Sequence, residues 1–188
     1  MKKVCIFGGT FNPPHIGHLI MANEVYHALD FEEIRFMPNA TPPHKEASQL
    51  ATGEQRLRML QLSTEAFPYF QVESFEIENG GISYTFDTMT ELQKREPDTQ
   101  FSFLIGADMI AYLDKWVKID ELVKTVKLIG VRRPGYDEKT KFPVTLLDAP
   151  LIDLSSTMLR NRIKVGKDVS MLIPENVQAY IRQENLYE

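Results

Sequence analysis

Two imidazoles and a pair of glycines stand close together near the start of the chain, in the run Gly8-Gly9-Thr10-Phe11-Asn12-Pro13-Pro14-His15-Ile16-Gly17-His18. Glycines leave room for backbone N–H groups to approach an anion, because no Cβ stands in the way. Pro13-Pro14 stiffens the approach to His15. The amphipathic stretch Leu19 to Leu29 follows and reads as a helix, whose positive end would aim at the same place. The two histidines lie three apart at that helix start, so both can face one ligand. The chemistry that fits is the binding and activation of a phosphate group.

A second candidate anion site lies far along the chain, in Ile152-Asp153-Leu154-Ser155-Ser156-Thr157-Met158-Leu159-Arg160. Hydroxyls at a helix start, with Arg160 one turn in, make a donor-rich pocket. If the strands that carry the two sites are neighbours, both sites line one cleft, and a polyphosphate such as ATP spans them. A general base is not evident. When the attacking group is itself a phosphate, none is needed, and fixed positive groups relieve the charge that builds on the reacting phosphorus. One such donor is worth roughly 3 kcal/mol. Donors without a base suit adenylyl transfer between phosphates.

The elements that must position these groups alternate. Val4-Cys5-Ile6-Phe7 reads as a buried strand leading into a tight glycine turn, and Ile34-Arg35-Phe36-Met37 as a second strand. Residues 39–49 form a polar loop with Lys45 as a candidate phosphate contact. Thr52 and Gln55 form a capping box for a helix running past Leu62. A strand is expected near Phe70 to Ile77, and a helix from Ser83-Tyr84-Thr85. Phe101 to Ile105 is a central strand, closed by Gly106 and followed by a helix from Ala107 to Leu113. Further strands are expected at Lys127–Val131 and Val144–Leu147, and further helices after Ser155 and from Pro174. Alternation of this kind predicts a Rossmann-like, doubly wound α/β fold, with a mainly parallel sheet and helices on both faces. The 188 residues suit a single domain, with the helical part from about 155 to 188 packed on the sheet.

Bulk properties narrow the partners. A net charge of -5 argues against a nucleic-acid polymer as ligand. No run approaches transmembrane length, and Lys2-Lys3 precedes too short an apolar run for a signal peptide. The single cysteine, Cys5, cannot form an internal disulfide, which favours a reducing, cytoplasmic setting. No His/Cys/Asp cluster has metal-site spacing.

The first run resembles the signature of the nucleotidyltransferase superfamily with the His-x-Gly-His motif. With residues 152–160, Gly106-Ala107-Asp108, Trp116 and the last helix, the chain is similar over nearly its whole length to the bacterial nicotinate-nucleotide adenylyltransferases. The superfamily signature alone also admits phosphopantetheine adenylyltransferases and cytidylyltransferases, and a non-catalytic nucleotide-binding module is a third reading. Ser155-Ser156-Thr157-x-x-Arg160 looks like the pyridine-nucleotide branch, although Leu154 stands where that branch has isoleucine. The resemblance implies that ATP and nicotinate mononucleotide give deamido-NAD and pyrophosphate, with Mg²⁺ arriving on the triphosphate. It implies His15, His18 and Arg160 as catalytic groups. It gives Gly8, Gly9, Thr10, Phe11, Gly106, Asp108, Arg133, Ser155, Ser156 and Thr157 to ATP. It gives Lys45, Tyr84, Thr85 and Trp116 to the mononucleotide, with Trp116 stacking on the pyridine. A homodimer is compatible with this reading.

Overall fold

The computed structural model describes residues 1–40, 51–133, 135–136 and 139–188. Six strands, β1 (Lys2–Gly9), β2 (Glu33–Pro38), β3 (Phe70–Val72), β4 (Thr99–Ile105), β5 (Lys127–Val131) and β6 (Val144–Leu147), form one sheet in the order β3-β2-β1-β4-β5-β6. Every neighbouring pair is parallel. The order reverses between β1 and β4, where Ile6 faces Phe103, so a crevice opens at the carboxyl ends of these two strands.

Side chains alternate along the central strands into two apolar layers. Val4 and Ile6 of β1, with Phe101, Phe103 and Ile105 of β4, pack under α4 (Thr85–Arg95), α5 (Ala107–Ile110) and α6 (Ile119–Thr125). Cys5, Phe7 and Leu104 face the other way, against α1 (Ile16–Ala28) and α2 (Gly53–Thr64). Strands buried on both faces read as continuous apolar runs, which is why β1 and β4 were legible without a clear alternation.

Three local expectations need correction. The strand sought over residues 70–77 stops at Val72, and α3 (Phe75–Asn79) follows. Phe75 and Glu76 are both buried there, on one helical turn, so the spacing of Val72, Phe75 and Ile77 was not a pleat. The helix after Gly106 ends at Ile110, and a separate 3-10 turn covers Leu113–Lys115. The last helices, α7 (Ser156–Lys164) and α8 (Glu175–Gln183), were expected on the sheet. Their cluster of Leu159, Ile173, Val177 and Ile181 instead packs on Ala51 and Met59 of the α2 region, and α2 in turn rests on β2 and β3.

The glycine pair is also not a turn. Gly8 and Gly9 are the last residues of β1, and the left-handed residue is Phe11, at φ 50°. A Cβ on Gly8 would sit 2.6 Å from the Phe103 ring, and one on Gly9 would sit 2.8 Å from the Phe11 ring. Glycine is required here because two aromatic rings lie across the strand end, and the Phe103 ring in turn stands nearly perpendicular to Trp116 at a centroid distance of 6.0 Å.

Candidate active site

His15 stands at the N-cap of α1 and His18 at its third position. Their rings stack, with centroids 3.7 Å apart and planes 20° from parallel. The His15 backbone N–H donates to His18 Nδ1 at 3.2 Å. An accepting Nδ1 assigns the ring proton of neutral His18 to Nε2, which is then the ring's donor. Phe7 and Phe11 hold the His18 ring edge-on, at 6.0 and 5.0 Å. His15 is buried, and its Nδ1 has no protein partner among the described residues. α1 aims its amide ends at the same place, and its first turn carries no acidic residue.

Burial, with the Arg133 guanidinium adding to it, lowers His15 from its ordinary value of 6.5 to about 4. The folded protein therefore binds fewer protons than the unfolded chain between those values. Stability must fall as pH drops through that window. Between about pH 7.5 and pH 5 we expect His15 to remove about 2 kcal/mol of stability from the ligand-free protein. Urea titrations at the two pH values check this, and His15→Gln should lose that part of the difference. An identical pH dependence in the variant would show that His15 is not the titrating group.

The start of α7 meets the loop that precedes His15. Arg160 Nη1 donates to the Asn12 carbonyl at 2.9 Å, and its Nη2 donates to Thr157 Oγ1 at 3.2 Å. Ser156 Oγ donates to the Pro13 carbonyl at 2.9 Å. Ser155 caps α7, accepting from the Met158 N–H at 3.2 Å. In this state Ser156 and part of Arg160 hold the loop that precedes His15.

Arg133 follows β5, pairs with Asp153, and lies 5.4 Å over the Tyr136 ring. Beside it, Arg132, Arg133, Gly135, Tyr136, Asp148, Ala149 and Leu151 line an open depression of about 390 Å³. Gly106 caps α5, with Asp108 exposed in its first turn, at the end of the strand next to β1. Tyr84, 47% exposed, is the N-cap of α4, and Thr85 opens that helix. Trp116 is half-buried after the 3-10 turn. Lys45 lies outside the described residues.

Two structural groups escaped the reading of the sequence. Arg56 of α2 is 1% exposed and makes five hydrogen bonds, to the carbonyls of Thr10, Asn39, Ala40 and Ala51 and to Asn39 Oδ1. No acidic side chain pairs with it in these contacts. Asn12 is fully buried, and its Oδ1 accepts from the Ala51 N–H at 3.0 Å and from the Tyr187 hydroxyl at 2.7 Å. An arginine on the apolar side of a helix was the one sequence signal available. For Asn12 and Tyr187 there was none.

Comparison with known proteins agrees with this geometry. The cytidylyltransferase-like family matches residues 6–162. A probable nicotinate-nucleotide adenylyltransferase of Bacillus anthracis is 50% identical over 188 residues, covering 100% of both chains. A Bacillus cereus relative with the same description is equally similar over the same span. Among solved structures, a Plasmodium falciparum nicotinic acid mononucleotide adenylyltransferase complexed with NaAD superposes with a TM-score of 0.84 at 20% identity, covering 100% of this chain and 98% of that one. At that identity the superposition supports the Rossmann-like fold. Sequence family, strand order and paired histidines converge: the chain belongs to the cytidylyltransferase-like family and, within it, to the nicotinate-nucleotide adenylyltransferases.

Proposed function

We propose that this chain transfers the adenylyl group of ATP to nicotinate mononucleotide. A phosphate oxygen of the mononucleotide bonds to the α-phosphorus. The bond from that phosphorus to the bridging oxygen breaks, and its electron pair leaves on pyrophosphate. The product is deamido-NAD. The observation that carries this reading is the stacked His15–His18 pair at the amide end of α1, with Arg160 bonded to the same loop.

The nucleophile is already ionised, so the site needs donors rather than a base. His18 Nε2 and the Gly17 N–H of α1 meet the phosphates, the Ile16 N–H being bonded to the Leu172 carbonyl. Arg160 and the Ser155–Thr157 turn stand on the other side of them. Mg²⁺ carried on ATP would neutralise part of the triphosphate charge. Among the described residues no group of three or more His, Cys, Asp or Glu side chains could cage it. Gly106 and Asp108 would meet the ribose, and Arg133 would border the adenine. Tyr84, Thr85, Trp116 and Lys45 would receive the mononucleotide.

The acid rather than the amide is preferred because α4 opens with no side-chain cap on Tyr84. Its first amides are open to a pyridine carboxylate, and the dipole favours a negative charge there. We infer a cytoplasmic enzyme acting as a single domain. Among the described residues no helix is long and apolar enough to cross a membrane.

Pyrophosphate release from Mg-ATP tests the assignment, with nicotinate mononucleotide, nicotinamide mononucleotide and phosphopantetheine offered separately. The expected result is fastest turnover with the nicotinate form. Turnover confined to phosphopantetheine, or absent with all three, overturns it.

A further inference from the structure

We propose that Tyr187 is a positioning residue for the phosphate-binding loop, acting through Asn12 on the contact between that loop and Arg160. The argument rests on the adenylyl-transfer reading above and adds a group that does not touch substrate.

Asn12 is the junction. It lies between Phe11, which adopts a left-handed backbone, and the Pro13-Pro14 pair that delivers His15. Both lone pairs of its Oδ1 are used, one by the Ala51 N–H and one by the Tyr187 hydroxyl. Its carbonyl takes Arg160 Nη1. These side-chain contacts hold the Asn12 Cα in place, and from it depart both the carbonyl that Arg160 grips and the chain that leads to His15. With no solvent at Asn12, water cannot replace a lost partner without opening the site.

Tyr187 comes from 175 residues away along the chain. It is itself left-handed, at φ 70°, a conformation that a bulky side chain adopts at a cost. Such a residue persists where its surroundings over-determine it. Here they do so by packing Tyr187 into the α7–α8 cluster, with its hydroxyl on Asn12 and 4.0 Å from Met59 sulfur. Burial pushes its phenol above the ordinary range, although Arg160 and Arg56 oppose the shift. The hydroxyl thus stays a protonated donor through neutral pH, and its influence there is independent of pH.

Tyr187→Phe keeps the ring and removes only the hydroxyl. The proposal expects kcat to fall about tenfold, with the KM for ATP changed less than kcat and the same loss across the pH profile. It also expects non-additivity: in an Arg160→Ala background, Tyr187→Phe should change kcat less than about twofold, because the contact it sets is already gone. Rates are read well below each variant's melting midpoint, so lost stability does not enter. A wild-type kcat in Tyr187→Phe, or a full tenfold loss that persists without Arg160, overturns the proposal. Inactivity of the unmodified protein toward ATP and nicotinate mononucleotide would instead remove the reading on which it rests.

Discussion

His18→Ala is expected to slow turnover by about 10²–10³-fold, the cost of removing one fixed donor from the place where charge develops. Two functions of the ring can be separated. Nδ1 receives the His15 backbone N–H, which holds the entry to α1, and the opposite nitrogen is the ring's donor. An asparagine at 18 can place an oxygen near the Nδ1 position but has no group that reaches the outer one. Glutamine reaches the outer position with its amide. His18→Gln should therefore recover part of the rate, and His18→Asn should not, although both keep the fold. Single-turnover rates with saturating Mg-ATP read the difference directly. Equal rates in the alanine, asparagine and glutamine variants would show that the ring only shapes the loop.

The second large effect is on stability. Arg56→Met should cost about 3–5 kcal/mol in urea unfolding, because it strands buried acceptors that one guanidinium now satisfies. Thr10 ends the first strand's path into the site, while Asn39 and Ala40 leave β2 and Ala51 precedes α2. Arg56 ties all four together. Lysine keeps the charge but not the planar fork, so Arg56→Lys should recover less than half of the loss. A loss below about 1 kcal/mol in the methionine variant would mean that water reaches those carbonyls readily. Desolvation already lowers the Arg56 pKa, the sign expected of a cation buried without an acidic partner.

These cases mark what could be read in advance. His15, His18 and the Ser155 cap were visible because local spacing decides them, through a helix start that needs a cap and a donor. The parallel sheet was visible because its strands are apolar on both faces. Arg56, Asn12 and Tyr187 were not, because apart from the Ala51 carbonyl beside Arg56 their partners are 16 to 175 residues away and only tertiary packing selects them. Ser156 and Arg160 were found as donors, but the loop carbonyls they hold could not be. Residues 70–79 misled because three apolar side chains at short spacing serve a strand end and a helical turn equally well.

The ring of Phe103 fills the space a methyl on residue 8 would need, and Trp116 stands nearly perpendicular against that same ring. One aromatic plate thus supports both Trp116 and the Gly8 end of β1, the places that the proposed function gives to the pyridine and to the triphosphate. On the proposed function, a designer who trims Phe103 to enlarge the proposed pyridine pocket, to admit bulkier coenzyme analogues, also unseats the strand terminus proposed to lie under the triphosphate. Broadened substrate scope and lost catalytic speed should therefore arrive together unless a small side chain is introduced at position 8 to refill the gap.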